Sequence, residues 1–175
     1  MKFYSERKVY LFLLFFAGVI LFNVYIFPSI EEKFDTGKIL IPPDLHFFYD
    51  KNFVCHFLKE LKETGRSGYA LTMRFDMIYP VIYSVSFYLL MQISAKPNAR
   101  KFPTKLYAVP FLAALFDWAE NLSMMYALHV YPDCAGSITA IAPFFTMFKW
   151  MAVGTSFLII LYLLILRFKP SGGKS

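Results

Sequence analysis

Charge is scarce in this sequence. Asp, Glu, Lys and Arg make up 17% of its 175 residues, against about 25% in an ordinary soluble domain, while hydrophobic residues reach 58%. With a mean hydropathy of +0.49, that composition excludes a soluble globular domain and points to a membrane protein built as one unit, 1–175. Catalytic signatures are missing as well: there is no C-x-x-C, no Ser–His elbow and no His-box. His46, His56 and His129 share no ligand spacing such as H-x3-H, so neither a metal nor another cofactor is expected. The net charge of +6 comes without a face of interleaved basic and aromatic residues, which argues against a nucleic-acid partner. The N-terminus starts basic and turns apolar like a signal peptide. However, "FNVYIFPS" offers no small-x-small cleavage site, so an uncleaved anchor is expected.

What fills the chain is apolar sequence. Four runs reach the ~20 residues needed to cross a bilayer: about 9–27, 69–93, 106–130 and 138–166. Acids are nearly absent where bases cluster. Lys2, Arg7 and Lys8 precede the first run, beside Glu6. Lys96, Arg100, Lys101 and Lys105 separate the second from the third, and Arg167, Lys169 and Lys174 follow the fourth. By the positive-inside rule these segments are cytoplasmic, which puts both termini on the same side. The predicted fold is therefore all-α: an integral membrane four-helix bundle. Either a bacterial inner membrane or a eukaryotic endomembrane fits the charge pattern.

Residues 29–68 then form a non-cytoplasmic loop. Within it, "DKNFVCHFLKELKETG" predicts an amphipathic helix at about 52–64, capped by Asp50 or Asn52 and stopped by a left-handed Gly65. Phe53, Val54, Phe57, Leu58 and Leu61 share one face, so the helix lies on the membrane surface or over the outer mouth of the bundle. Cys55 and Cys134 fall on the same non-cytoplasmic side and could pair as a disulfide.

Against this apolar background, ionisable residues inside the runs stand out: Arg74, Asp76, Asp117, Glu120 and Lys149. Each costs about 2.5–3.5 kcal/mol at the bilayer centre, so they must face one another or water. Helical spacing permits that. Asp117, Glu120, Asn121 and Met124 form one stripe, continued by Ala113 and Ala114. Thr72, Asp76, Tyr79, Tyr83 and Ser86 form a second, and Thr139, Thr146, Lys149, Val153 and Ser156 a third. The first run offers only Asn23. Arg74 turns away from Asp76 and can snorkel or meet a loop acid. Three acids then face one base, an excess that a proton or a cation must offset. Pro80, Pro110 and Pro143 release the carbonyls of Asp76, Leu106 and Thr139, which could hold a cation or a hydroxyl.

In order, "IPPDL", "ETGRSGY", "RFDMIYPVIY", "FDWAENL" and "FTMFKW" cover residues 40–150. In these motifs the chain resembles a loosely defined, uncharacterised family of small four-span membrane proteins. The resemblance implies a four-helix membrane bundle and carries no activity with it.

Three kinds of function suit these residues. The first is a structural or accessory subunit, or a lipophile-binding protein, in which the polar set (Asp76, Tyr79, Asp117, Glu120, Asn121, Lys149) specifies packing or floors a pocket lined by Trp118, Trp150 and Phe side chains. The second is a lipid-modifying enzyme, with Asp117 and Glu120 as the acid–base pair, Lys149 as electrostatic partner and Asp76 as orienter. The third is a proton-coupled transporter, which with four spans would act as an oligomer. The expected partners are membrane lipid and a protein subunit or a second copy of the chain.

Overall fold

The computed structural model describes residues 2–34, 37, 40–95, 102–133 and 136–169. Cys134, Lys96, Arg100, Lys101 and Lys174 lie outside the described residues. Helix α1 (Lys2–Leu21) runs through a π-turn (Phe22–Ile26) into α2 (Phe27–Lys33). The π-turn has an identifiable cause. The Asn23 side-chain amide donates to the Val19 carbonyl, 2.8 Å away, and so occupies an acceptor of the helical ladder. Pro28, at the start of α2, has no N–H to restore the regular register.

After the 3-10 turn Pro43–Leu45, helix α3 spans Lys51–Glu60. The Asp50 carboxylate caps it, accepting from the main-chain N–H of Asn52 (2.7 Å) and of Phe53 (2.9 Å). Its apolar face does not rest on lipid. Val54, Phe57 and Leu58 are buried with Tyr69, Met73, Met124, Ala127 and Ala142, so α3 plugs one end of the bundle. The helix is shorter than the expected 52–64, and Gly65 does not end it. Lys62 takes the positive φ instead, at 54°, and Gly65 is buried within the next helix. The chain therefore passes from α3 into the span with almost no loop. Arg66 secures the corner: one guanidinium nitrogen donates to the Leu58 carbonyl at 3.2 Å, and its carbon lies 4.3 Å from the Tyr131 ring centroid.

The second expected span is two helices, α4 (Lys62–Asp76) and α5 (Tyr79–Ser94), joined through Met77 and Ile78. Pro80 is the cause, because without an N–H it cannot bond the Asp76 carbonyl. A 3-10 turn (Thr104–Ala108) leads into α6 (Val109–Val130), and α7 (Ser137–Phe168) completes the chain. There is no strand among the described residues.

Among the described residues three stretches are long and apolar enough to cross a membrane: Glu6–Lys33, Lys62–Ser94 and Ser137–Phe168. Helix α6, expected as a further span, is long enough at 22 residues but is not among them. Asp117, Glu120 and Asn121 in its middle lower its hydropathy. It is also the helix with most of its polar groups inside: all three are buried, with Ser123. The packing explains how. Helix α6 lies chiefly against α7 and α5, while α1 leans mainly on α5. Ala113, Ala114, Ala127 and Ala142 are buried and let the backbones of α6 and α7 approach. Outward-facing Leu112, Leu115, Leu158, Leu161 and Ile165 are exposed, as residues facing hydrocarbon would be.

Candidate functional site

The break between α4 and α5 leaves main-chain carbonyls without helical partners inside the protein. Helix α6 satisfies two of them. The Asn121 amide donates to the Asp76 carbonyl at 3.1 Å, and the Trp118 indole N–H donates to the Met77 carbonyl at 2.9 Å. Trp118 and Asn121 are three residues apart and share a helix face. The released Asp76 carbonyl thus holds a side-chain amide rather than the cation or hydroxyl expected from the sequence. Trp118 closes this joint and does not line the cavity described below.

The same stripe of α6 carries the carboxylates. Lys149 of α7 reaches between them, its Nζ 2.7 Å from Glu120 Oε2 and 3.3 Å from Asp117 Oδ1. Thr146 and Tyr49 donate to Glu120 Oε1, and the Tyr83 hydroxyl donates to Asp117 Oδ2 at 3.0 Å. Glu120, Asn121 and Thr146 have no accessible surface, and Lys149 keeps 6%. A desolvated ion triad survives only when its remaining lone pairs are bonded in this way. Tyr49, on the loop before α3, has its phenol held well above the ordinary range, by burial and then by the Glu120 charge. It therefore acts as a neutral donor. With both carboxylates bound to Lys149, Asp117 and Glu120 form an ion pair network rather than a free acid–base pair.

Beside the triad lies a cavity of about 1030 Å³ between α1, α2, α4, α5, α7 and the loop at residues 40–45. Its walls are mainly apolar and include Phe12, Phe16, Val19, Leu90, Val153 and Phe157. Asp76, Asp117 and Lys149 reach its surface, whereas Glu120 is hidden behind them. Asp76 is 7% exposed, and among the described residues no hydrogen bond or ion pair engages its carboxylate. The Asn121 amide lies beside that carboxylate, but its well-formed bond goes to the main-chain oxygen.

The stripes read from the sequence meet here. Tyr79, Tyr83 and Ser86 line the cavity with Asp76, and Asn23 joins them by donating to the Tyr79 hydroxyl at 2.7 Å. Arg74 is exposed and makes no ion pair among the described residues. Asp44 and Tyr49 are the functional residues that sequence reasoning missed. Asp44 lies in the "IPPDL" turn. Its carbonyl accepts from the Trp150 indole at 3.0 Å, and its Oδ1 is buried without a partner. Asp44 is among the residues that line the cavity, and its charge lies within electrostatic reach of Asp76 and Lys149. The indole contact fastens this turn to α7. Cys55 is not a free thiol, and its expected partner, Cys134, lies outside the described residues.

No family model, no curated protein and no solved structure matches this chain.

Proposed function

We propose that this chain is a four-span membrane protein that holds a lipophilic molecule in its intramembrane chamber. The observation that carries the proposal is the chamber itself: about 1030 Å³, walled by Phe, Leu and Val, with a polar floor at Asp76 and Asp117. Pockets for small molecules run to about 300–1,000 Å³ and share this plan of apolar walls with a few polar groups. Helix α1 forms one wall while leaning mainly on α5, so its separation from α7 suits lateral entry from the bilayer. Purified in a mild uncharged detergent, the protein is expected to carry a near-stoichiometric lipophile, extractable by organic solvent and seen by mass analysis. Val153→Trp fills the chamber from α7 and should reduce that lipophile to background while the protein stays folded. Retention at the wild-type level would remove the chamber as the binding site.

In this reading α6 crosses the membrane as the fourth span, its polar side packed against α7, α5 and α4 and its Leu112, Leu115 and Leu122 turned to lipid. Both termini and residues 96–105 are then cytoplasmic, as the basic residues there require. Thr104 and Ser137 are exposed at opposite ends of the α6–α7 hairpin. In sealed vesicles of known orientation a membrane-impermeant maleimide should label Ser137→Cys only from the non-cytoplasmic face and Thr104→Cys only from the cytoplasmic face. Labelling of both from one side would mean that α6 does not cross.

A further inference from the structure

Taking the chamber as a lipophile site, we infer that its occupant carries a positively charged amine head seated on Asp76 and Asp44. Two independent features point there. The first is a carboxylate without a counter-charge: Asp76 is more than nine-tenths buried, lines the chamber, and has only the Asn121 amide beside its side chain and no cation among the described residues. Asp44, which also lines the chamber, adds a second carboxylate, one oxygen of which is buried with no hydrogen-bond partner among the described residues. A bare buried carboxylate is costly, and a cation that replaces its lost hydration offsets that cost.

The second feature is the charge of the lining as a whole. Among the described residues five acids line the space: Glu31, Glu32, Asp44, Asp76 and Asp117. The base that faces it, Lys149, is already bound to Asp117 and Glu120. An anionic head, whether a fatty-acid carboxylate or a phosphate, would meet repulsion and find no free cation among the described residues. A neutral hydroxyl could bond one carboxylate but leaves the charge excess in place. An ammonium answers both, and it donates hydrogen bonds to carboxylates on two elements. Aromatic residues line the chamber too, among them Tyr69, Tyr79 and Trp150. Rings of that kind attract a cation electrostatically. The Phe-lined end of the chamber takes the hydrocarbon tail.

The test compares tetradecylamine, tetradecanol and tetradecanoic acid on the whole protein in an uncharged detergent. Bound probe is counted by native mass spectrometry, and affinity is read from the rise in unfolding temperature. The amine is expected to bind on the order of tenfold tighter than the alcohol, since a charged hydrogen bond replaces a neutral one, with the acid weakest. Asp76→Asn should bring the amine down to the level of the alcohol. Asp44→Asn, on the loop, should narrow the same gap and serves if Asp76→Asn does not fold. Equal binding of the three probes, or tightest binding of the alcohol or the acid, overturns the amine assignment while leaving the chamber as a lipophile site. An amine preference that survives both substitutions overturns the seat. Binding of none of the probes overturns the chamber reading itself.

Discussion

Lys149→Met is expected to be among the most damaging single substitutions in the protein. It removes the charge that Asp117 and Glu120 share and leaves two carboxylates inside the bundle with only hydroxyl donors: Thr146 and Tyr49 for Glu120, and Tyr83 for Asp117. Taking one member from a buried ion pair costs about 3–5 kcal/mol, because the partner stays desolvated. Whole folds are stable by about 5–15 kcal/mol. The unfolding temperature in detergent should therefore fall by roughly 10 °C or more, with loss of the monodisperse protein. The cause is charge rather than volume, which a compensated variant separates. Combining Lys149→Met with Asp117→Asn and Glu120→Gln removes all three charges and should recover most of the loss, because the hydroxyl donors then face neutral groups. A Lys149→Met protein that unfolds at the wild-type temperature would show that the triad is hydrated and not part of the folding energetics. Equal damage in the triple variant would point to lost packing instead.

The triad was legible in the sequence because helical spacing is strict. Asp117, Glu120 and Asn121 in "FDWAENL" can occupy only one face of α6, and the cost of burying charge requires that face to look inward. Lys149 follows by charge balance. What spacing could not supply was the partner of each group. Asn121 and Trp118 are committed to the carbonyls of Asp76 and Met77. The "YP" that opens α5 and the "W-x-x-N" of α6 are therefore two halves of one joint. Each half reads as an isolated oddity: a proline inside a span, and an amide in an apolar run. Only the tertiary packing of α6 on α4 and α5 brings them together.

The outer segment was less legible, again for a physical reason. Asp50 was readable as a cap because capping is local. Gly65 was misread because glycine serves two purposes, left-handed turns and close approach. At the corner between α3 and α4 the left-handed residue is Lys62, and the glycines that follow lie within a helix. Asp44 stayed hidden because its role depends on a long-range contact, the Trp150 indole on its carbonyl. Helix α6 is the opposite case. Its length and the charges around it read as a span, while its own hydropathy is depressed by the residues that make it an interior helix.

Gly68 and Gly154 show how the same substitution can change stability in opposite directions. Alanine in place of glycine in a helix ordinarily gains about 0.5–1 kcal/mol. At Gly154, on α7, an added Cβ meets nothing within 4 Å, so Gly154→Ala should stabilise by that amount. At Gly68, on α4, a Cβ would lie 2.4 Å from Phe34 Cβ and 2.6 Å from Phe34 Cγ. Carbon atoms pack at about 3.5–4.0 Å, so the end of α2 must move away by about 1 Å or more. A flexible side-chain tip could yield, but Phe34 Cβ is bound directly to the main chain. Overpacking of this kind costs about 1–3 kcal/mol, which outweighs the helical gain. Gly68→Ala should therefore destabilise, and Gly68→Leu should cost about 3 kcal/mol. Phe34→Gly removes the opposing Cβ and should restore most of the loss in the double variant. Phe34 and Gly68 both line the chamber, so the same displacement should loosen its wall and release the bound lipophile in Gly68→Leu before the protein unfolds. If Gly68→Ala proves as stabilising as Gly154→Ala, then α2 is not packed on α4 at this distance, and the chamber lacks the wall described for it.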